Sequence, residues 1–325
     1  MELLLLTARD VRLALPIDEA IVAAKQAFAA WSSGRSSMPP RGVVDVAAGK
    51  TLVMGGAVEG VGVAAKVVSV FAGNAARGLP AVTGLVVVLD EETGVPSAVL
   101  DGTFLTAWRT GAAGGAAADV LAREDARVGA IFGAGAQART QAIALDAVRR
   151  LDELRVFEPS DEVRERFVDE LAGELRAPIV AVASPEAAVD GADVVVTATT
   201  SPRPVFEGDG LRDGAHVTAV GAFTADRAEL DPRAIGRARV FVDALPAALE
   251  EAGDLLRAER EGATRREEWT ELGAVLEGKA PGRTDDAEVT LFKSVGLAVQ
   301  DVAAAARAVR GARELGLGTT VVLDG

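Results

Sequence analysis

Short apolar runs recur through the second part of the chain, at residues 128–132, 155–158, 178–182, 193–197, 215–220 and 239–242. Turns or helix-spaced segments separate them, and strands that alternate with helices predict a doubly wound parallel sheet. The first 120 residues lack that rhythm. One helix is expected there, with Asp18 as N-cap, Ile21, Ala24, Phe28 and Trp31 on one face, and Gly34 as terminator. A loop holding Pro39, Pro40 and Arg41 follows. The runs TLVMGGAV, GVAAKVVSVF, AVTGLVVVLD and SAVLDG then read as a mostly antiparallel β region, punctuated by Gly73-Asn74 and Glu92-Thr93-Gly94. From Thr103 a helix dense in Ala and Gly leads towards Val128, and its small residues let another backbone approach closely. Residues 250–288 are polar and charge-rich and read as surface helix and loop. EVTLFKSVG reads as a last strand and turn, and a final helix carries Val302, Ala305, Val309 and Ala312 on one face.

Composition narrows the field. With 49% hydrophobic but only 4% aromatic residues, the cores must be built from Ala, Val and Leu. A net charge of −14 argues against a nucleic-acid partner, because nothing neutralises a phosphate backbone. The scarcity of lysine beside arginine, set against 48 acids, fits adaptation to high salt and fits a bias towards Arg and Ala equally. Without cysteine there is no disulfide, thiolate catalysis or thiolate-bound metal. The start MELLLLTARDV lacks the basic region of a signal peptide, and no apolar stretch is long enough to span a bilayer. A cytoplasmic protein with no membrane partner is expected.

The segment RVGAIFGAGAQA, 127–138, carries the most chemistry. A short strand runs into Gly133, Gly135 and a small third position, Ala138, and a helix-spaced segment follows with Ala142, Leu145 and Val148. The first glycine permits a tight turn, the second lets backbone approach a pyrophosphate, and the small third residue lets helix and strand pack closely. Phosphate charge then meets the free N–H groups of the helix start. Glu158 lies twenty residues beyond Ala138, after the next strand, where a carboxylate can accept hydrogen bonds from both hydroxyls of an adenine ribose. A nicotinamide or flavin dinucleotide is the expected ligand.

Three cations interrupt apolar or constrained segments: Arg41 after Pro39-Pro40, Lys66 among valines and alanines, and Arg109 in the small-residue helix. Gathered together, they would grip a carboxylate, an arginine doing so bidentately. His216, the sole histidine, sits in the apolar strand GAHVTAVG and reads as a structural hydrogen-bonder. With so few ligating residues, a zinc site is not expected.

MPPR (38–41), GVAAKVV (62–68), GLPAVTGLVVVLD (78–90), TAWRTGAA (106–113), GAGAQA (133–138), HVTAVGAFTADRAELD (216–231) and TLFKSVGLAVQD (290–301) together resemble the ornithine cyclodeaminase/mu-crystallin family across nearly the whole chain. The resemblance implies a homodimer of bilobal subunits. Residues 1–122 and 299–325 would form an α+β substrate and dimerisation domain, and 123–298 an inserted NAD(P)-binding Rossmann domain. It also implies a carboxylate-binding trio of Arg41, Lys66 and Arg109 with Thr83 nearby, Lys66 and Arg109 being catalytic. Cofactor contacts are expected at Gly133, Gly135, Ala136, Gln137 and Glu158, and at Thr199, Ser201 and Gly221. Glu158 favours NAD over NADP, with Arg155 and Arg164 tempering that preference.

One departure redirects the chemistry. Cyclodeaminases, and archaeal alanine dehydrogenases similar to them, carry an aspartate where Phe223 follows Gly221-Ala222; Asp226 lies three residues on. Phenylalanine cannot deliver water or an amine to a C–N centre, but it can wall an apolar ring. The resemblance therefore implies reduction of a small α-imino acid, such as the cyclic ketimine Δ1-pyrroline-2-carboxylate. Alanine dehydrogenase, ornithine cyclodeaminase and a mu-crystallin-like binding protein without turnover are the alternatives.

Overall fold

The computed structural model describes residues 1–323. It divides into two compact units, one of Met1–Arg109 with Leu297–Gly325 and one of Thr110–Gly296. The chain runs β1 (Glu2–Leu6), α1 (Ala8–Ala14), α2 (Ile17–Ser32), β2 (Ser36–Ser37), β3 (Gly42–Val46), β4 (Gly49–Val58), β5 (Gly62–Val70), β6 (Val82–Leu89), β7 (Pro96–Asp101) and α3 (Gly102–Leu121). It continues through β8 (Val128–Phe132), α4 (Ala136–Val148), β9 (Glu153–Phe157), α5 (Asp161–Leu171), β10 (Ile179–Ala181), α6 (Pro185–Val189), β11 (Val194–Thr197) and β12 (His216–Ala219). Then come α7 (Pro232–Gly236), β13 (Ala238–Val242), α8 (Leu245–Glu251), α9 (Gly253–Arg260), β14 (Thr270–Glu271), α10 (Leu272–Leu276), β15 (Val289–Lys293), α11 (Ala298–Leu315) and β16 (Thr319–Val322).

In the first unit the sheet order is β16-β1-β7-β6-β5-β4-β2, with β3 also on β4. Only β1 and β7 pair in parallel; the other pairs are antiparallel. Helix α11 packs on β4, β5 and β6 and against α1 and α2. The strand period of two sorts side chains between the faces. Ala64, Lys66 and Val68 of β5 are buried on the helix-covered face, whereas Val67 is exposed. On α11 the expected stripe of Val302, Ala305, Val309 and Ala312 is buried throughout.

The structure departs from two local expectations. Helix α2 is capped by Pro16 without a side-chain hydrogen bond, and Asp18 lies inside its first turn, complementing the helix dipole rather than ending the loop. A second helix, α1, precedes it, opened by a capping box between Thr7 and Asp10. The four-leucine run is itself a strand: Leu4 pairs with Ala98 on one side and Thr320 on the other. Its partners lie far along the chain, so no local pattern announced it.

In the second unit all pairs are parallel, in the order β10-β9-β8-β11-β12-β15-β13-β14. Alternate residues feed two cores. Val194 and Val196 join Ile131, Leu154, Ala142 and Phe167, whereas Val195 joins Phe132, Val217, Val240 and Leu255. β15, the second unit's last strand in chain order, inserts between β12 and β13 and is buried along its whole length. Residues 250–288 are also less superficial than their charge suggests, since Asp254, Leu255, Ala258, Trp269 and Leu272 are all buried.

The small residues of α3 do admit a neighbour. A Cβ at Gly111 would stand 2.5 Å from the Thr140 carbonyl oxygen of α4, and one at Gly114 would strike the Gln141 side chain, which donates to the Thr110 carbonyl. Gly111→Ala should gain about 1 kcal/mol from helix propensity. Overpacking costs about 1–3 kcal/mol, and the upper end applies because the atoms met are backbone. A net loss of stability in urea unfolding is expected; a stabilised variant would show that the two helices separate easily.

Candidate active site

The expected site residues fall into two groups, one in each unit. In the first unit Lys66 sits in the cross-strand row Met54–Lys66–Val86, an apolar setting for an ammonium. Its counter-charge comes from the opening of α11: Lys66 Nζ lies 2.6 Å from Asp301 Oδ2. Arg109 of α3 donates from Nε to Asp301 Oδ1 at 3.0 Å and from Nη1 to Gln300 Oε1 at 3.0 Å. The Gln300 Oε1 also accepts the Leu297 N–H at 2.8 Å, which fixes the amide and leaves its buried Nε2 without a protein acceptor.

Burial, with the Arg109 charge added, brings the Lys66 ammonium down to about 7. Asp301 opposes that shift, and Arg41 lies close enough to reinforce it. The structure therefore brings Arg41, Lys66 and Arg109 into one electrostatic neighbourhood. Thr83 does not join them. It pairs with Ser69 on β5, and alternation puts it on the sheet face opposite Lys66, beside Val67, Leu85 and Thr103. Asp301 and Gln300 escaped the sequence reading because nothing local couples them to Arg109, which lies 192 residues from Asp301.

In the second unit the expected cofactor residues fall at the carboxyl ends of four neighbouring strands, β9, β8, β11 and β12. The strand order reverses between β8 and β11, which is where open α/β sheets bind ligands. Gly133 has φ +102°, and a Cβ there would lie 2.6 Å from the Ala198 carbonyl oxygen. Gly135 caps α4 with no side-chain hydrogen bond, and a Cβ there would meet open space. Unfilled room beside the first-turn N–H groups, next to Ala136 and Gln137, fits a pyrophosphate. Glu158 follows β9 half-buried, with Oε1 3.5 Å from the Ser160 N–H. Arg155 is turned to Glu153 and to the carbonyls of Ala187 and Asp190, and Arg164 to the Glu158 carbonyl and Asp161. Neither guanidinium is thus committed to a 2′-phosphate.

Thr199 and Gly221 share a partner absent from the sequence reading, the buried carboxylate of Glu229, and Ser201 donates its N–H to the Thr199 hydroxyl. Phe223 lies half-buried against the second unit's core. His216 is fully buried, its nitrogens bonded to the Thr290 and Thr218 hydroxyls at 2.9 and 3.0 Å. Burial first, then Arg283 and Arg149, push it down to about 3, so it stays neutral and structural. Among the described residues no cluster of three metal-ligating side chains occurs, and no helix is long and apolar enough to cross a membrane.

A glycine turn and an acid on successive strands of a parallel sheet define a Rossmann-type unit, joined in one chain to a mixed-sheet unit bearing a buried cation cluster. The chain belongs to the ornithine cyclodeaminase/mu-crystallin family, whose model matches residues 1–314. It is 35% identical over 324 residues to a Δ1-pyrroline-2-carboxylate reductase of Bacillus cereus, covering 98% of this chain and 99% of the relative. The solved structure of Thermococcus litoralis Δ1-pyrroline-2-carboxylate reductase, in complex with NADH and L-proline, superposes with TM-score 0.94 at 36% identity over 98% of this chain and 100% of that one. An archaeal alanine dehydrogenase dimer with bound NAD superposes with TM-score 0.92 at 33% identity, both chains being fully covered.

Asp301→Asn would leave Arg109 and Lys66 buried without an ionised partner. Removing one member of a buried ion pair costs about 3–5 kcal/mol, and the lower end is expected because Lys66 can shed its proton. Urea unfolding measures this; a loss below about 1 kcal/mol would show that the ion pair contributes little.

Proposed function

We propose that the protein is an NADH-dependent reductase of small α-imino acids, with a cyclic ketimine such as Δ1-pyrroline-2-carboxylate as substrate. The observation that carries this reading is the buried cluster in which Arg109 and Lys66 share a single carboxylate, Asp301, with Arg41 close by. Two buried cations on one acid, plus the Gln300 Nε2 that lacks a protein acceptor, match a small carboxylate ligand. Likeness to enzymes of this activity and to a complex with NADH and L-proline supports it.

Gly133, Gly135, Ala136 and Gln137 would hold the pyrophosphate of NADH and Glu158 its adenine ribose, with Thr199, Ser201 and Gly221 beyond the switch point. When bound, NADH supplies the hydride. Arg109 and Arg41 hold the substrate carboxylate and so fix the imine carbon in one orientation, removing rotational freedom from the reaction. Lys66 keeps a proton at the imine nitrogen, which raises the electrophilicity of the adjacent carbon. Phe223 presents an apolar wall that excludes water. Alanine dehydrogenase is the second reading, favoured by the structural likeness to the archaeal enzyme. NADH consumption with pyrroline-2-carboxylate, piperideine-2-carboxylate, and pyruvate plus ammonia separates the two. Ornithine with NAD tests the cyclodeaminase, and no turnover of any would favour a binding protein.

The pH dependence follows from Lys66. Its ammonium is present below about 7 and is lost above it. kcat/KM for imine reduction should therefore fall as pH rises through that value, and the reverse oxidation should rise. Lys66→Arg, which stays charged, should lose that limb while keeping affinity for the carboxylate. An unchanged limb in this variant would remove Lys66 from the proton's path.

We infer a homodimer formed through the uncovered face of the first unit's sheet. Val53, Val67 and Leu85 stand in one cross-strand row, 45%, 47% and 56% exposed, with Val44 and Val46 beyond them. So contiguous an apolar strip matches the core of a self-association surface. Sedimentation should give a dimer that Val67→Glu converts to monomer; a monomeric unmodified protein would overturn the assignment.

A further inference from the structure

At the carboxyl ends of β11 and β12 lies a buried charged assembly that the proposed reaction does not use. The Glu229 carboxylate accepts four hydrogen bonds. Oε1 takes the Thr199 N–H at 2.7 Å and the Thr199 hydroxyl at 2.8 Å, and Oε2 takes the N–H groups of Gly221 at 2.7 Å and Ala222 at 2.9 Å. One side chain thus ties the loop after β11 to the loop after β12. These strands are neighbours, with Thr197 opposite Ala219. The tie reaches Ser201, whose N–H is held by the Thr199 hydroxyl at 3.1 Å. Gly221 fits only as glycine, since a Cβ would lie 2.3 Å from the Thr199 carbonyl oxygen and 2.4 Å from Glu229.

Glu229 is braced in turn. Asp254 Oδ1 accepts the backbone N–H of Glu229 at 2.6 Å and of Leu230 at 2.9 Å. Its Oδ2 pairs with Lys293 Nζ at 2.5 Å, and Lys293 donates to the Ala222 carbonyl at 2.5 Å, closing a ring. Glu229, Asp254 and Lys293 have no measurable exposure. Burying three ionisable groups is a poor route to stability, because apolar packing of the same volume avoids their desolvation. What such a ring supplies is a fixed direction for the backbone groups of both loops.

We propose that Glu229, braced by Asp254 and Lys293, is the positioning residue for the nicotinamide half of the dinucleotide. This rests on the cofactor reading above. In a doubly wound sheet the two halves of a dinucleotide lie on opposite sides of the switch point. Gly133, Gly135 and Glu158, on β8 and β9, face the adenosine half, so the loops after β11 and β12 face the other. A nicotinamide carboxamide presents both a donor and an acceptor, and it takes one orientation only against partners that cannot turn. Glu229 does not touch the cofactor; it holds the loops that do.

The test compares two ligands on the full-length protein: NADH, and ADP-ribose, which lacks the nicotinamide. Glu229→Gln turns one accepting atom into a donor facing N–H groups. It should weaken NADH binding about tenfold or more, the effect of losing a hydrogen bond to a charged group, and change ADP-ribose binding less than about twofold. Glu158→Ala, on the adenosine side, should weaken both. Should Glu229→Gln fail to fold, Thr199→Val, which removes one hydroxyl from the tie, is read against the same pair and should show the same selectivity at smaller size. Equal weakening of both ligands, or no change in either, overturns the assignment. If the unmodified protein binds neither ligand, the cofactor reading fails and this assignment falls with it.

Discussion

Asp301 is the residue on which the first unit's chemistry depends. A lysine placed mid-strand between Met54 and Val86 cannot remain charged in an apolar layer without a counter-charge, and α11 brings one to within 2.6 Å. The same carboxylate orients Arg109 through Nε, leaving that guanidinium held at one edge. Because one acid serves two buried cations, the cluster keeps a positive excess at a site where water is scarce. That excess underlies the carboxylate binding proposed for the cluster, and burial beside Arg109 lowers the Lys66 ammonium to about 7.

The second unit uses acids in another way, as receivers for backbone N–H groups at loop starts. Asp193 takes the N–H groups of Arg127 and Val128, Asp146 those of Arg176 and Ala177, and Asp243 those of Val295 and Gly296. Glu229 belongs to this set but joins two loops rather than finishing one. Parallel strands leave their connecting loops without ladder partners, so each buried loop needs an acceptor from a side chain. The high acid content, which reads in the sequence only as surface charge, is partly structural mortar.

How much was legible follows from how far each signal reaches along the chain. Strands β8 to β13 were readable because each carries a short apolar run bounded by turn or helix signals, and the glycine turn because its geometry is set within six residues. Gly133 has a positive φ at the turn itself and Glu158 directly follows the very next strand. Lys66 and Arg109 stood out as charges in apolar segments. β1 and the buried part of 250–288 did not, since a leucine run and a charged helix are ambiguous until their partners are known. Thr83 lies on the face opposite Lys66 because strand register decides the face, and one residue of shift reverses it.

By itself the sequence determined most strands of the second unit, the glycine turn after β8 and the identity of the unusual cations, all of which depend on side-chain chemistry within a turn or two of the chain. Only the tertiary structure decided which acids those cations meet. Asp301 reaches Arg109 across 192 residues and Lys293 reaches Ala222 across 71, and such pairs form because helices and loops from distant segments are packed together. A carboxylate's role is set by whether burial removes its water and what replaces it, and no residue's own neighbours in sequence carry that information.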